Sequence, residues 1–297
     1  MRRLFWSIQL VIVILITLPI ALIPYRLALK AGGLLGTLLF FGWKSKRQIA
    51  IDNLKGVISR GLLVIDSSPE SVIKENFRNL GKSFVEVIKI YYGLGGRIFR
   101  NVEIRGTDIF RNALKKGSGV ILLTGHCGNW ELNGLVCSAK VTPISVVARP
   151  VNNPFLNRLV ERTRKKYGNK VIYKQGALRK IVSALKHNEA VGILMDQSVL
   201  SSEGVVADFL GKKDYTMKTP ALIAMKTGCA VVPAFIRRVD GGHVIEAGEE
   251  IALDASGDGD RDVLTNTVKF SKCIEEFILQ HPTEWLWMHR RWKRFKE

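Results

Sequence analysis

The run Gly119-Val120-Ile121-Leu122-Leu123-Thr124-Gly125 leads directly into His126-Cys127-Gly128-Asn129-Trp130-Glu131. Its first half is a continuous apolar stretch of the kind that forms a strand buried on both faces. Its second half puts glycines and an asparagine ahead of a helical pattern at 129 to 139. Strand, glycine turn and helix in that order form the repeating unit of a parallel sheet. Outward from it the same alternation continues. Further short apolar runs lie at 102 to 106, 144 to 149, 170 to 174, 190 to 197 and 230 to 238. Between them stand helical patterns at 108 to 116, 154 to 167, 177 to 187 and 219 to 227, the second opened by Asn153 and Pro154. The expected fold is α/β, a mainly parallel central sheet with helices on both faces, preceded by N-terminal transmembrane and interfacial helices.

Open α/β sheets place ligands at the carboxyl ends of their strands. The residues that follow the apolar runs are His126, Arg149, Lys174 with Gln175, and Asp196 with Gln197. A base, a guanidinium and a carboxylate are thereby delivered to one rim. His126 and Glu131 are five residues apart, about 140° around an unbroken helix, and would not share a face. With His126 on the glycine turn and Glu131 in the first helical turn, the carboxylate can reach back to one imidazole nitrogen and leave the other free as a base. No serine stands in nucleophile position here, so the natural nucleophile is a hydroxyl of the substrate, which means group transfer to an alcohol. Three alternatives stand beside this reading: zinc binding, although His-x4-Glu lacks the spacing of a zinc helix; a covalent role for Cys127; and a purely structural His-Glu hydrogen bond.

Residues 4 to 23 carry no charge over twenty positions, about the length a helix needs to cross a membrane. The next apolar stretch, Ala31 to Trp43, contains Gly32, Gly33 and Gly36 and reads as a helix lying in the interface or against the body. Trp43 then meets Lys44, Lys46 and Arg47, an edge suited to anionic headgroups. Helices are expected at 46 to 58 and from the cap Ser68 with Pro69 to about Tyr92. The chain thus divides into an anchor and interfacial helix over 1–43 and a catalytic domain over 44–297. The net charge of +19 is concentrated at 24 to 60, 151 to 187 and 289 to 297. Such patches suit anionic partners. Nucleic acid fits poorly, because the longest basic stretch offers only Phe155, Tyr167 and Tyr173 as aromatics. The four cysteines have neither zinc-finger nor disulfide-framework spacing.

The segment HCGNWE, residues 126–131, resembles the H-x4-D/E block of glycerolipid and lysophospholipid acyltransferases, in the form used by bacterial lipid A late acyltransferases. Four further stretches resemble blocks of that family in order: Ala148 to Pro154, Ile193 to Gln197, Phe209-Leu210-Gly211 with Thr219-Pro220-Ala221, and Pro282 to Trp292. The resemblance implies an inner-membrane enzyme, with its catalytic domain on the cytoplasmic side. It would take a fatty acyl chain from acyl carrier protein and esterify a hydroxyl of a lipid A precursor. It places the charge-relay pair on His126 and Glu131 and implies roles for Arg149 and Asp196. Arg149 is expected to grip a phosphate. Asn129, which also reads as a helix cap, and Lys174 complete the candidate substrate-binding set. No cofactor or metal is expected. The partners are acyl carrier protein, anionic membrane lipid and a phosphorylated glycolipid acceptor. Lys212 to Lys218 is bulky and charged where family members often have small residues, which leaves another phospholipid or glycolipid acceptor open.

Overall fold

The computed structural model describes residues 2–173 and 176–295. Four helices lead: α1 (Arg2–Leu22), α2 (Tyr25–Gly42), α3 (Lys44–Ser59) and α4 (Pro69–Tyr91). A short α5 (Gly96–Arg100) follows. The sheet is then built by β1 (Val102–Arg105), β2 (Val120–Thr124), β3 (Ile144–Ala148), β4 (Lys170–Tyr173), β5 (Ala190–Leu194), β8 (Ala230–Val239) and β9 (Gly242–Ala247). Its order is β1-β9-β8-β2-β5-β3-β4, parallel throughout except where β8 and β9 pair antiparallel. The mainly parallel sheet predicted from the alternation is therefore present. Strand β9, which with β1 runs opposite to the other strands, follows β8 through Asp240-Gly241, a two-residue turn in which Gly241 has φ +84°.

The connecting helices are α6 (Thr107–Lys115), α7 (Trp130–Lys140), α8 (Pro154–Lys166), α9 (Ala177–Lys186) and α10 (Thr219–Thr227). Strand β2 shows how the sheet makes two cores. Ile121 and Leu123 enter the cluster with Leu54, Phe77 and Trp285, whereas Val120 and Leu122 enter the one with Phe110, Leu132 and Ile245. Both faces of the strand are buried, which is why its sequence is an unbroken apolar run. Strand β9 and the short α5 were not read from the sequence, and neither were two larger features. One is a separate hairpin of β6 (Gly204–Phe209) and β7 (Lys212–Met217); the other is the long helix α11 (Gly259–Gln280) packed against it. The charged stretch from Lys212 is thus a strand, with Lys212 and Lys213 outward and Asp214 and Thr216 buried.

Helix α2 lies on α4 at backbone contact. A Cβ added to Gly36 would sit 2.1 Å from the Phe77 carbonyl oxygen, and one added to Gly81 would sit 2.1 Å from that of Gly32. Gly32 and Gly36 of α2 therefore face the body. Its other side leaves Leu34, Leu38 and Phe41 exposed, with Trp43 exposed just beyond the helix. Among the described residues α1 is the one helix long and apolar enough to cross a membrane, with a mean hydropathy of 2.4. It is tied to the body along one edge. Asn153 donates to the Trp6 carbonyl, Thr17 and Tyr92 hydroxyls meet at 2.9 Å, and Lys89 Nζ donates to the carbonyls of Ala21 and Ile23.

Candidate active site

His126 follows β2 on the turn 125–129, and the local chain allows little else there. Gly128 has φ +55°, and a side chain on it would drive into the Ile236 carbonyl at 2.1 Å. The turn is also clamped by the C-terminal segment. Gly128 N donates to the Glu284 carbonyl, Leu286 N donates to that of His126, and Cys127 pairs with Trp285 in a β-bridge.

This clamp decides which carboxylate the imidazole meets. His126 Nδ1 lies 2.8 Å from Asp196 Oδ1, and the indole N–H of Trp285 donates to Asp196 Oδ2 at 2.9 Å. The Asp196 carboxylate is almost fully buried, whereas the imidazole keeps about a quarter of its surface open. Burial by itself would raise the acid and lower the base. Their mutual attraction and hydrogen bond outweigh it in both, so Asp196 is lowered and His126 raised from their ordinary values. An ionised carboxylate can only accept, which puts the proton on Nδ1 and leaves Nε2 as the basic nitrogen. The Gln197 amide lies against the ring at 3.3 Å and 3.4 Å, and Trp130 packs edge-on to it.

Glu131, expected to reach back to the imidazole, turns elsewhere. Arg164 of α8 grips both its oxygens, at 3.0 Å and 2.9 Å, and the Tyr91 hydroxyl donates to Oε1 at 2.9 Å. The reason is helical phase: Trp130 begins α7, so Glu131 projects towards α8 and α4. No hydrogen bond joins it to His126 among the described residues. The two nevertheless line the same cavity, of about 270 Å³. One end of that cavity is polar, with His126, Glu131, Arg149 and Arg164. The other is mainly apolar, formed by Leu122, Leu135, Ile144 and Val146 with Gly134 and Gly192, and the Asn169 amide is set among them, donating to the Gly134 and Ile144 carbonyls.

Arg149 is exposed on the lining of the cavity and makes no hydrogen bond or ion pair to a described residue. Asn129 is buried: Oδ1 caps α7 by accepting from Leu132 N, and Nδ2 donates to Glu86. Glu86 itself is held by Arg238, His243 and Tyr25. The cap reading of Asn129 describes its position. Lys174 lies outside the described residues. Cys127 is buried, and its thiol is pushed well above its ordinary value by burial and by the Asp196 and Glu284 carboxylates. A thiolate is thus disfavoured there. Trp285, Arg164 and Tyr91 had no assigned role in the sequence, although Trp285 sits in the closing block quoted above and Arg164 in the basic stretch after Arg149.

The family described as bacterial lipid A biosynthesis acyltransferase matches residues 3–294. Among curated relatives, a lipid A biosynthesis palmitoleoyltransferase of Escherichia coli K12 is 26% identical over 274 residues, covering 91% of this chain and 86% of its own. A lipid A biosynthesis lauroyltransferase of the same organism is 24% identical over 275 residues, covering 91% and 87%. A phosphatidylinositol mannoside acyltransferase of Mycolicibacterium smegmatis is 24% identical over 228 residues, covering 75% and 73%.

Proposed function

The chain belongs to the bacterial lipid A biosynthesis acyltransferase family, and from that premise we propose that it transfers a fatty acyl chain from acyl carrier protein to a hydroxyl of a phosphorylated glycolipid of the lipid A type. The observation that carries the reading is the pairing of His126 with Asp196 at the polar mouth of a cavity whose inner end is mainly apolar. Such a cavity suits an acyl chain inside and a thioester carbonyl at the mouth.

In the reaction His126 Nε2 removes the proton of the acceptor hydroxyl as its oxygen attacks the thioester carbonyl. Asp196 fixes the tautomer and stabilises the imidazolium, and Trp285 holds Asp196 in place. The tetrahedral intermediate collapses to an ester, and the carrier thiolate leaves with the proton returned by the imidazolium. The amides at the start of α7 are donors for the oxyanion, since that helix end carries partial positive charge. Glu131 acts through Arg164: the pair fixes α8 against α7 and keeps the cavity mouth open beside the imidazole. Arg149, cationic and unpaired at the mouth, takes a phosphate of one of the substrates.

The loop carrying Arg149 rests on α1, where Asn153 meets Trp6 and Gln9. A mouth beside the apolar helix gives a membrane-held acceptor short access. We place α1 in the inner membrane with the body on the cytoplasmic side, where the carrier protein is found. The phosphatidylinositol mannoside acyltransferases among the relatives favour a second acceptor class, another phosphoglycolipid, served by the same centre.

The test is transfer by purified protein in micelles, with acyl carrier thioester and a lipid A precursor, read by mass spectrometry. One added acyl chain is expected, and His126→Ala should lower turnover roughly 10²-fold or more. Near-normal transfer by His126→Ala would overturn the mechanism, and acylation of a mannosylated phospholipid alone would move the acceptor to the second class.

A further inference from the structure

A second pocket, of about 310 Å³, shares no lining residue with the first. Its floor is one face of α3, where Ile49, Asn53, Gly56 and Arg60 follow at helical spacing. Its wall is the C-terminal segment with Arg290, Trp292 and Lys293, and Lys212 of β7 stands at its rim. Four cations therefore surround one lining carboxylate, that of Asp52. Arg290, Lys293 and Lys212 are exposed and make no hydrogen bond or ion pair to a described residue.

Arg60 is the built part of this pocket. Its Nε donates to the Leu210 carbonyl, and its guanidinium lies over the Trp292 ring at 5.9 Å. The seat depends on two missing side chains, because a Cβ on Gly56 would come within 3.2 Å of Arg60 Nη1 and one on Gly211 within 2.9 Å of its Cδ. Both terminal nitrogens are left without a partner in a fixed fork, the geometry that binds phosphate bidentately.

The pocket is coupled to the catalytic centre through the segment Trp285 to Trp292. Its first residue holds Asp196, and its last is the pocket wall. Asn53 fixes the segment to α3 by donating to the carbonyls of Trp287 and His289. The pocket also opens on the helix that begins at Lys44, next to the exposed Trp43 with Lys46 over its ring. A ligand phosphate confined to headgroup level would meet this face of the molecule.

The geometry points to a phosphate subsite here, in which Arg60, Arg290, Lys293 and Lys212 hold a phosphate of the acceptor glycolipid while its hydroxyl lies at His126. This rests on the phosphorylated-acceptor reading above. It makes the enzyme select its acceptor by a charge remote from the reacting hydroxyl.

The test uses the full chain in neutral detergent, comparing wild type with the double variant Arg290→Gln/Lys293→Gln. Both side chains are exposed and unpartnered, so an unchanged Tm is expected. Losing two charge-assisted contacts should raise KM for the phosphorylated acceptor about tenfold or more. KM for the acyl donor should stay as in wild type, as should the affinity of a dephosphorylated acceptor read as substrate or competitor. An unchanged acceptor KM overturns the subsite, and so does equal weakening of the dephosphorylated acceptor. A rise in donor KM also overturns it and assigns the pocket to the donor's phosphodiester arm. If wild type does not acylate the phosphorylated acceptor, the functional reading fails separately. Calorimetric titration with inorganic pyrophosphate then decides the pocket alone: weaker binding by the double variant supports an anion site, and equal binding overturns it.

Discussion

An imidazole held through Nδ1 by a buried carboxylate titrates higher than a free one, and that fixes the pH dependence of a reaction it serves as base. Burial lowers His126, but the Asp196 charge and hydrogen bond raise it by more. The neutral base is therefore lost as pH falls through a value above the ordinary 6.5, and kcat/KM should rise with pH along a limb above that value. Asp196→Asn removes what stabilises the imidazolium. The limb should move to lower pH while the plateau falls roughly 10²-fold or more. Glu131→Gln should also lower activity, by leaving Arg164 without its charge at the cavity mouth, but the limb should keep its position. A pH-rate profile of the two variants separates a carboxylate that acts on the base from one that shapes the pocket. A shifted limb in Glu131→Gln would reverse these roles. Both carboxylates and the histidine stand out in the sequence because each follows a strand or opens a helix. Which acid meets the base is set by the turn 125–129, and that turn is held by Glu284, Trp285 and Leu286 from the far end of the chain. No local spacing carries that information.

The elements most legible in the sequence were those that satisfy themselves locally. Pro69 behind Ser68 and Pro154 behind Asn153 start helices where expected, with side-chain caps at Ser71 N and at Phe155 N and Leu156 N. The central strands β2, β5 and β8 announced themselves by being buried on both faces. The hairpin β6 and β7 did not, because its turn places Leu210 and Gly211 at φ 51° and 76°, and leucine is a poor signal for the left-handed region. Tertiary contacts hold it instead: Leu210 N donates to Glu275 of α11. The glycines of α2 raise the same question of local against tertiary cause. They cost helix propensity, yet they let α2 and α4 touch through backbone. Gly81→Ala must push these helices apart, and about 1–3 kcal/mol of stability should be lost. Gly42→Ala, whose new methyl meets nothing within 4 Å, is the control and should be neutral. Thermal unfolding in detergent reads both, and equal Tm values for the two variants would show that the crossing carries no such constraint.

Across the whole molecule, the net charge of +19 is divided between structure and surface. Arg291, within the basic tail, is fully buried, over the Phe209 ring and bonded to Thr216, whereas Arg290 and Lys293 beside it face solvent. Arg164 is committed to Glu131, while Arg149 bonds to no described residue. The apolar surface is divided in the same way, since α1 exposes Leu4, Ile8, Leu15 and Ile16 yet touches the body at both ends. The strongest tie is Lys89, a buried ammonium on α4. It donates to the Ala21 and Ile23 carbonyls at 2.6 Å and 2.7 Å, satisfying acceptors that the end of α1 leaves open. A helix that merely trailed from the body would be dispensable to its stability; one joined in this way is part of the folded unit. The distinction can be measured with a double-mutant cycle. Lys89→Met in the full chain should cost about 1–3 kcal/mol, because a buried and a half-buried carbonyl lose a charged donor. In a chain lacking residues 2–23 the lysine faces solvent with nothing to cap, so the same substitution should have little effect. The difference between the two values is the coupling between α1 and the body. A coupling near zero would mean that α1 is carried by the body without contributing to its fold.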